Sequence, residues 1–64
     1  MKALPIDIYD KAGNLLRIEM FDDDGKHIFD AHWDETDEQT PKNREEFRRW
    51  AYSMARRKGY VLYN

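Results

Sequence analysis

The 64-residue chain reads as an α+β domain, a three-stranded antiparallel meander with one helix packed on one face and a short C-terminal fourth strand. Three observations predict this. Residues 4–33 hold an internal echo at a spacing of twelve, in which an alternating apolar segment runs into an aromatic, an Asp and then a Gly turn. Residues 41–58 carry apolar side chains at helical spacing between a capping Thr40 and Gly59. Residues 60–63, Tyr-Val-Leu-Tyr, follow as a short strand.

The echo aligns Ile6-Asp7-Ile8-Tyr9-Asp10 and Gly13 with Ile18-Glu19-Met20-Phe21-Asp22 and Gly25. Two successive hairpins are expected. A two-residue Asp24-Gly25 loop would place Met20 opposite Phe29, Ile18 opposite Ala31 and Leu16 opposite Trp33, all apolar pairs. A three-residue loop Lys11-Ala12-Gly13, with Gly13 left-handed, would pair Ile8 with Leu16, Ile6 with Ile18 and Leu4 with Met20. Both turns then direct the even-numbered side chains of the second strand inward. The phrases Tyr9-Asp10 and Gly13-Asn14 resemble, over about one repeat, the tyrosine-aspartate repeats of large toxin-shell proteins, a resemblance that implies shared hairpin chemistry and nothing further.

Residues 34–40 form a polar linker. Thr40 and Pro41 suit a helix start, with Asn43 and Glu46 as a competing capping box. Phe47, Trp50, Ala51 and Met54 define the apolar face, so Trp33 and Trp50 are expected to meet in the core. Gly59 ends the helix, and a crossover from it to a parallel fourth strand should be right-handed. The edge that strand joins is left open.

Charge is sorted along the chain. Residues 1–40 hold four basic and eleven acidic side chains, a net of −7, and residues 41–64 hold seven basic and two acidic ones, a net of +5. Such a distribution speaks to partners and orientation. A single domain of this length buries only about 60% of the surface its unfolded chain exposes. With no cysteine, neither disulfides nor thiolate zinc supplement the core, and nine aromatics must contribute instead. No signal-peptide or membrane-length apolar run is present, so a soluble cytoplasmic protein is expected, with no membrane partner.

Chemistry-bearing motifs fail on spacing. Asp22-Asp23-Asp24-Gly25 is not a calcium loop, because Met20 and Ala31 stand where acidic ligands are needed. His27 and His32, five apart on a strand, point to opposite faces unless a bulge intervenes. One Ser, two Thr and no Cys offer no nucleophile with a base placed by local sequence. The carboxylates Glu19 and Asp30 pair across strands, but no cleft is evident for them to flank. The expectation is a non-enzymatic protein with no metal and no cofactor.

Two binding surfaces remain. The outer sheet face is expected to carry Tyr9, Arg17, Glu19, Phe21, Asp30 and His32, with Asp7 beside Arg17. Glu19 opposite Asp30 is unfavourable in a sheet that serves only stability, and large apolar groups outside the helix-covered face point to contact. This face would dock on a basic patch of a larger protein, as in a small regulator or inhibitor of the kind carried by phages and mobile elements, itself a monomer or weak homo-oligomer. The alternative is a nucleic-acid module in which Arg48, Arg49 and Arg56 meet phosphates and Tyr52 stacks. An acidic pI of 5.6 weighs against it.

Overall fold

A computed structural model describes residues 1–62. Strands β1 (Lys2–Tyr9), β2 (Leu15–Asp22) and β3 (His27–His32) form the antiparallel meander, α1 spans Pro41–Arg57, and β4 (Val61–Leu62) returns to the sheet. The order is β3-β2-β1-β4, with β4 parallel to β1 through Lys2↔Val61 and Ala3↔Leu62. Tyr63, expected to end the last strand, lies outside the described residues. Val61 N–H donates to the Met1 carbonyl, so alternate residues of β1 turn their backbone groups toward the β4 side. Pro5 falls in that set, where its missing N–H interrupts no bond to β2.

Both hairpins use one turn. Asp10 and Asn14 flank Lys11-Ala12-Gly13, with Asp10 N–H donating to Asn14 O at 2.9 Å and Gly13 at φ 85°. Asp22 and Lys26 flank Asp23-Asp24-Gly25 in the same way, with Gly25 at φ 81°. Each Asp accepts at Oδ1 from the backbone N–H two and four residues on, all at 2.9 Å. A two-residue loop at Asp24-Gly25 requires positive φ at both positions, and Asp24 does not have it, so that expectation is corrected to a three-residue loop.

Each turn is followed by a bulge, and the two bulges repeat at twelve residues like the sequence itself. The register of β1 with β2 shifts between Ile8 and Tyr9, leaving Leu16 as the extra residue, and that of β2 with β3 shifts between Met20 and Phe21, leaving Ile28. In the second hairpin the bulge restores the expected pairs, Met20↔Phe29 and Ile18↔Ala31. In the first it displaces the expected ones. The turn sets Tyr9↔Leu15, but beyond Leu16 the pairs are Ile8↔Arg17, Asp7↔Ile18, Ile6↔Glu19 and Pro5↔Met20. A one-residue slip exchanges the faces of a strand. Leu4, Ile6 and Ile8 therefore turn away from the helix, while Ala3 and Asp7 turn toward it.

The core is consequently small and rich in alanine. Ala3, Ile18, Met20 and Ala31 from the sheet meet Ala51 and Ala55 from α1, all fully or almost fully buried, with Phe29, Phe47, Tyr52 and Leu62 packed around them. Alanine on both sides permits close approach of helix and sheet. The helix starts on Thr40, whose Oγ1 accepts from Asn43 N–H at 3.1 Å, and the competing box is not used. It ends with Gly59 N–H on Arg56 O and Tyr60 N–H on Ala55 O, the paired bonds of a Schellman cap with Gly59 at φ 92°.

The linker is tied into the sheet by one side chain. Gln39 accepts from Leu15 N–H at Oε1 and donates from Nε2 to Leu15 O, both at 3.0 Å, so its amide stands in for a strand partner beside the bulge. Arg44 then donates to Gln39 Oε1 at 3.0 Å and to Gly13 O at 3.3 Å, joining the helix start to the first turn.

Candidate docking face

The outer sheet face is a grid of three rows. From β1 through β2 to β3 they read Ile8–Arg17–His32, Ile6–Glu19–Asp30 and Leu4–Phe21–His27. The β1 column is aliphatic. Val61, paired with Lys2, extends it at one end, and Leu16 at the bulge adds to the other. Leu4, Ile6, Leu16 and Val61 are 43%, 38%, 42% and 64% exposed. Monomeric domains rarely leave so many neighbouring large apolar side chains open without a use for them.

The charged columns are internally compensated. Arg17 Nε donates to Glu19 Oε2 at 2.7 Å, and His27 Nε2 lies 2.7 Å from Asp30 Oδ1. Each of the two opposed carboxylates thus has its own basic neighbour, which relieves the repulsion expected between Glu19 and Asp30. The Phe21 and His27 rings meet edge to face at 5.5 Å. Acidic loops bracket the face, Asp22-Asp23-Asp24 at one end and Asp34, Glu35, Asp37 and Glu38 after β3 at the other.

Of the residues expected here, Arg17, Glu19, Phe21, Asp30 and His32 share the outer face and Tyr9 does not. Tyr9 pairs with Leu15 and lies on the helix side, its hydroxyl donating to Asp7 Oδ2 at 3.2 Å and accepting from Arg48 Nη2 at 3.1 Å. Asp7 likewise does not face Arg17. The aliphatic column escaped sequence reasoning because the slip that exposes it follows from one bulge. The signal was Asp7, which the expected register put outside and an unused helix arginine draws inside.

The helix face proposed for phosphates is also rearranged. Arg48 donates to Asp7, and that hydrogen bond raises its guanidinium further above its already high ordinary value. Tyr52 packs on the core, and Arg49 bonds Glu45 at 2.9 Å. Arg56 stays exposed. Relative to expectation the helix is turned by somewhat less than one residue step of about 100°. Trp50 emerges as a result and is 52% exposed. It does not meet Trp33; Phe47 stands between them, 5.1 Å from Trp33 and 6.0 Å from Trp50.

A groove of about 540 Å³ opens where the sheet meets the linker, lined in part by Leu16, Arg17, His32, Trp33, Glu35 and Asp37. The sequence showed no cleft, because this one is made by the linker folding back on the Leu16 bulge. No Ser, Thr or Cys lines it among the described residues, and Glu19 and Asp30 lie outside it. The Ile28 bulge also turns His27 to the same face as His32, correcting the expected opposite placement. Four residues of β2 separate their partners, about 13 Å along a strand, too far for one metal ion. Among the described residues no group of three or more His, Asp or Glu has metal-site geometry, and no helix is long and apolar enough to cross a membrane.

Comparison of the chain with protein-family models, with curated proteins and with solved structures finds no match.

Proposed function

We propose that the chain is a small protein-binding regulator that works without chemistry of its own, docking its outer sheet face on a larger protein. The aliphatic column of Leu4, Ile6 and Ile8 beside the Arg17–Glu19 and His27–Asp30 pairs carries this reading. An apolar strip edged by paired polar and charged side chains has the make-up of an interface, with area for affinity and charges for register. Acidic loops at both ends favour a partner that is apolar in the middle and basic at its margins.

The nucleic-acid alternative is the weaker reading, because Arg48 and Tyr52 are spent on Asp7 and on the core. The test is affinity capture from extracts of the cells that produce the protein, with Ile6→Asp, the double variant Glu19→Lys/Asp30→Lys and, as control, Glu45→Ala. A species held by wild type and Glu45→Ala but lost by both face variants supports the reading. Equal retention by the face variants, checked for folding by circular dichroism, overturns it.

A further inference from the structure

Trp50 is the one exposed tryptophan, and its surroundings match the docking face in length and charge. At about 1.5 Å rise and 100° per residue, Arg57 lies about 20° and Lys42 about 80° round α1 from Trp50, so the three share one flank of the helix, with Lys42 and Arg57 about 22 Å apart along its axis. All three are exposed, with Arg56 beside the basic end and one acidic residue, Glu46, on the same flank. The sheet face presents the complement. Its aliphatic column, Leu4 to Ile8, spans five residues or about 13 Å, within the eight-residue β1, which is about 23 Å long and lies between two acidic loops. A basic–aromatic–basic ridge lies on one side of the molecule and an acidic–aliphatic–acidic trough on the other, since α1 packs on the opposite face of the same sheet.

We propose that a second copy of this chain occupies the outer face, laying the Trp50 flank of its helix along the Leu4–Ile6–Ile8 column with Lys42 and Arg57 over the two acidic loops. This rests on the reading of that face as a docking surface and names an occupant for it. Donor and acceptor are different surfaces, so the contact is heterologous and head to tail, leaving a free trough at one end of every assembly and a free ridge at the other. One helix flank on one strand column is a small interface, so association is weak, with Kd in the range of about 10 µM to about 1 mM. Partner and second copy then compete for one surface, and self-association holds the trough closed at high concentration.

Sedimentation velocity of the full chain, from about 10 µM to about 1 mM and at low and high salt, tests this. Wild type is expected to sediment faster as concentration rises and to lose that dependence with salt. Trp50→Ser removes the donor and Ile6→Asp the acceptor, and each alone is expected to weaken association by about tenfold or more, as loss of a central anchor does. Mixed, the two variants are expected to form a heterodimer that grows no further, because each retains the surface the other lacks. Arg57→Glu and Glu19→Lys repeat the experiment should either first variant fail to fold.

A wild type that stays monomeric throughout overturns the proposal, as does undiminished association of either single variant. Failure of the mixture to complement overturns it too, since pairing of like faces gives that result. A monomeric wild type whose cellular partner is still lost on Ile6→Asp removes only the self-association and leaves the docking function standing.

Discussion

Arg48 donates from Nη2 and Nε to Oδ2 of Asp7, at 3.0 and 3.3 Å, across 41 positions of sequence. Asp7 reaches the helix only because β1 is displaced by one residue against β2, and the same displacement turns Leu4, Ile6 and Ile8 to the outer face. One bulge thus produces both the ion pair inside and the aliphatic strip outside.

The Arg48 and Asp7 side chains are 31% and 26% exposed, so the contribution of the pair is discounted for solvent. Asp7→Ala is expected to lower unfolding stability by about 1 kcal/mol, with a coupling to Arg48→Ala of about 0.5–1 kcal/mol. Urea denaturation of the four members of the cycle measures it. Zero coupling would mean that packing alone turns the helix.

Nuclear Overhauser contacts decide the register directly. Backbone contacts of Ile6 with Glu19, and of Ile8 with Arg17, are expected in place of Ile6 with Ile18. Deletion of Leu16 removes the extra residue and leaves these pairs intact, at the cost of the bond from Trp33 N–H to Leu16 O, about 1 kcal/mol. A deletion variant that restores Ile6 to Ile18 would show that the slip depends on the extra residue.

Gln39→Ala strips two hydrogen bonds from the backbone of the fully buried Leu15. A loss of about 1–3 kcal/mol is expected, together with faster amide hydrogen exchange at Leu15, since a buried N–H left without a partner bears its full desolvation cost. Gln39→Glu is expected to fall between the two, keeping the acceptor and losing the donor. Exchange at Leu15 unchanged by Gln39→Ala would separate the linker from the sheet.

Acid sensitivity follows from the first turn. The Asn14 N–H, aided by the Asn14 side chain and the Ala12 and Gly13 backbone, holds the Asp10 carboxyl below its ordinary value. Thr36 does the same for Asp34 through its backbone and side chain. A depressed carboxyl contributes stability that is complete above its unfolded pKa, about 3.9, and disappears as pH falls through the folded one. Denaturation midpoints between pH 6 and 2 are therefore expected to fall below about pH 4, less steeply in Asp10→Asn. Parallel curves for the two proteins would contradict this assignment.

Tryptophan fluorescence reads the helix rotation. In Trp33→Phe the emission comes from Trp50 alone and is expected to be red-shifted and strongly quenched by acrylamide, whereas Trp50→Phe leaves the more sheltered Trp33. Equal quenching in the two variants would return Trp50 to the core.

The amino-acid sequence by itself determined the elements whose chemistry is local. The Asp and Gly of each turn, Thr40 at the helix start and Gly59 at its end all act on their own backbone within a few residues, so they can be read without the rest of the chain. The pairs Met20↔Phe29 and Ile18↔Ala31 were legible from apolar matching, though through a different turn. The slip of β1 and the rotation of α1 were decided only in the tertiary structure. Apolar alternation favours burial of Leu4, Ile6 and Ile8, and the opposite face of Ala3, Pro5, Asp7 and Tyr9 is the one turned to the helix, with Arg48 reaching Asp7 and Ala3 joining Ile18, Met20, Ala51 and Ala55 in the core. Those contacts join segments about forty positions apart, and no local pattern records them; the docking face, which is what remains after they form, was visible in the sequence as a set of charges and became an apolar strip only on folding.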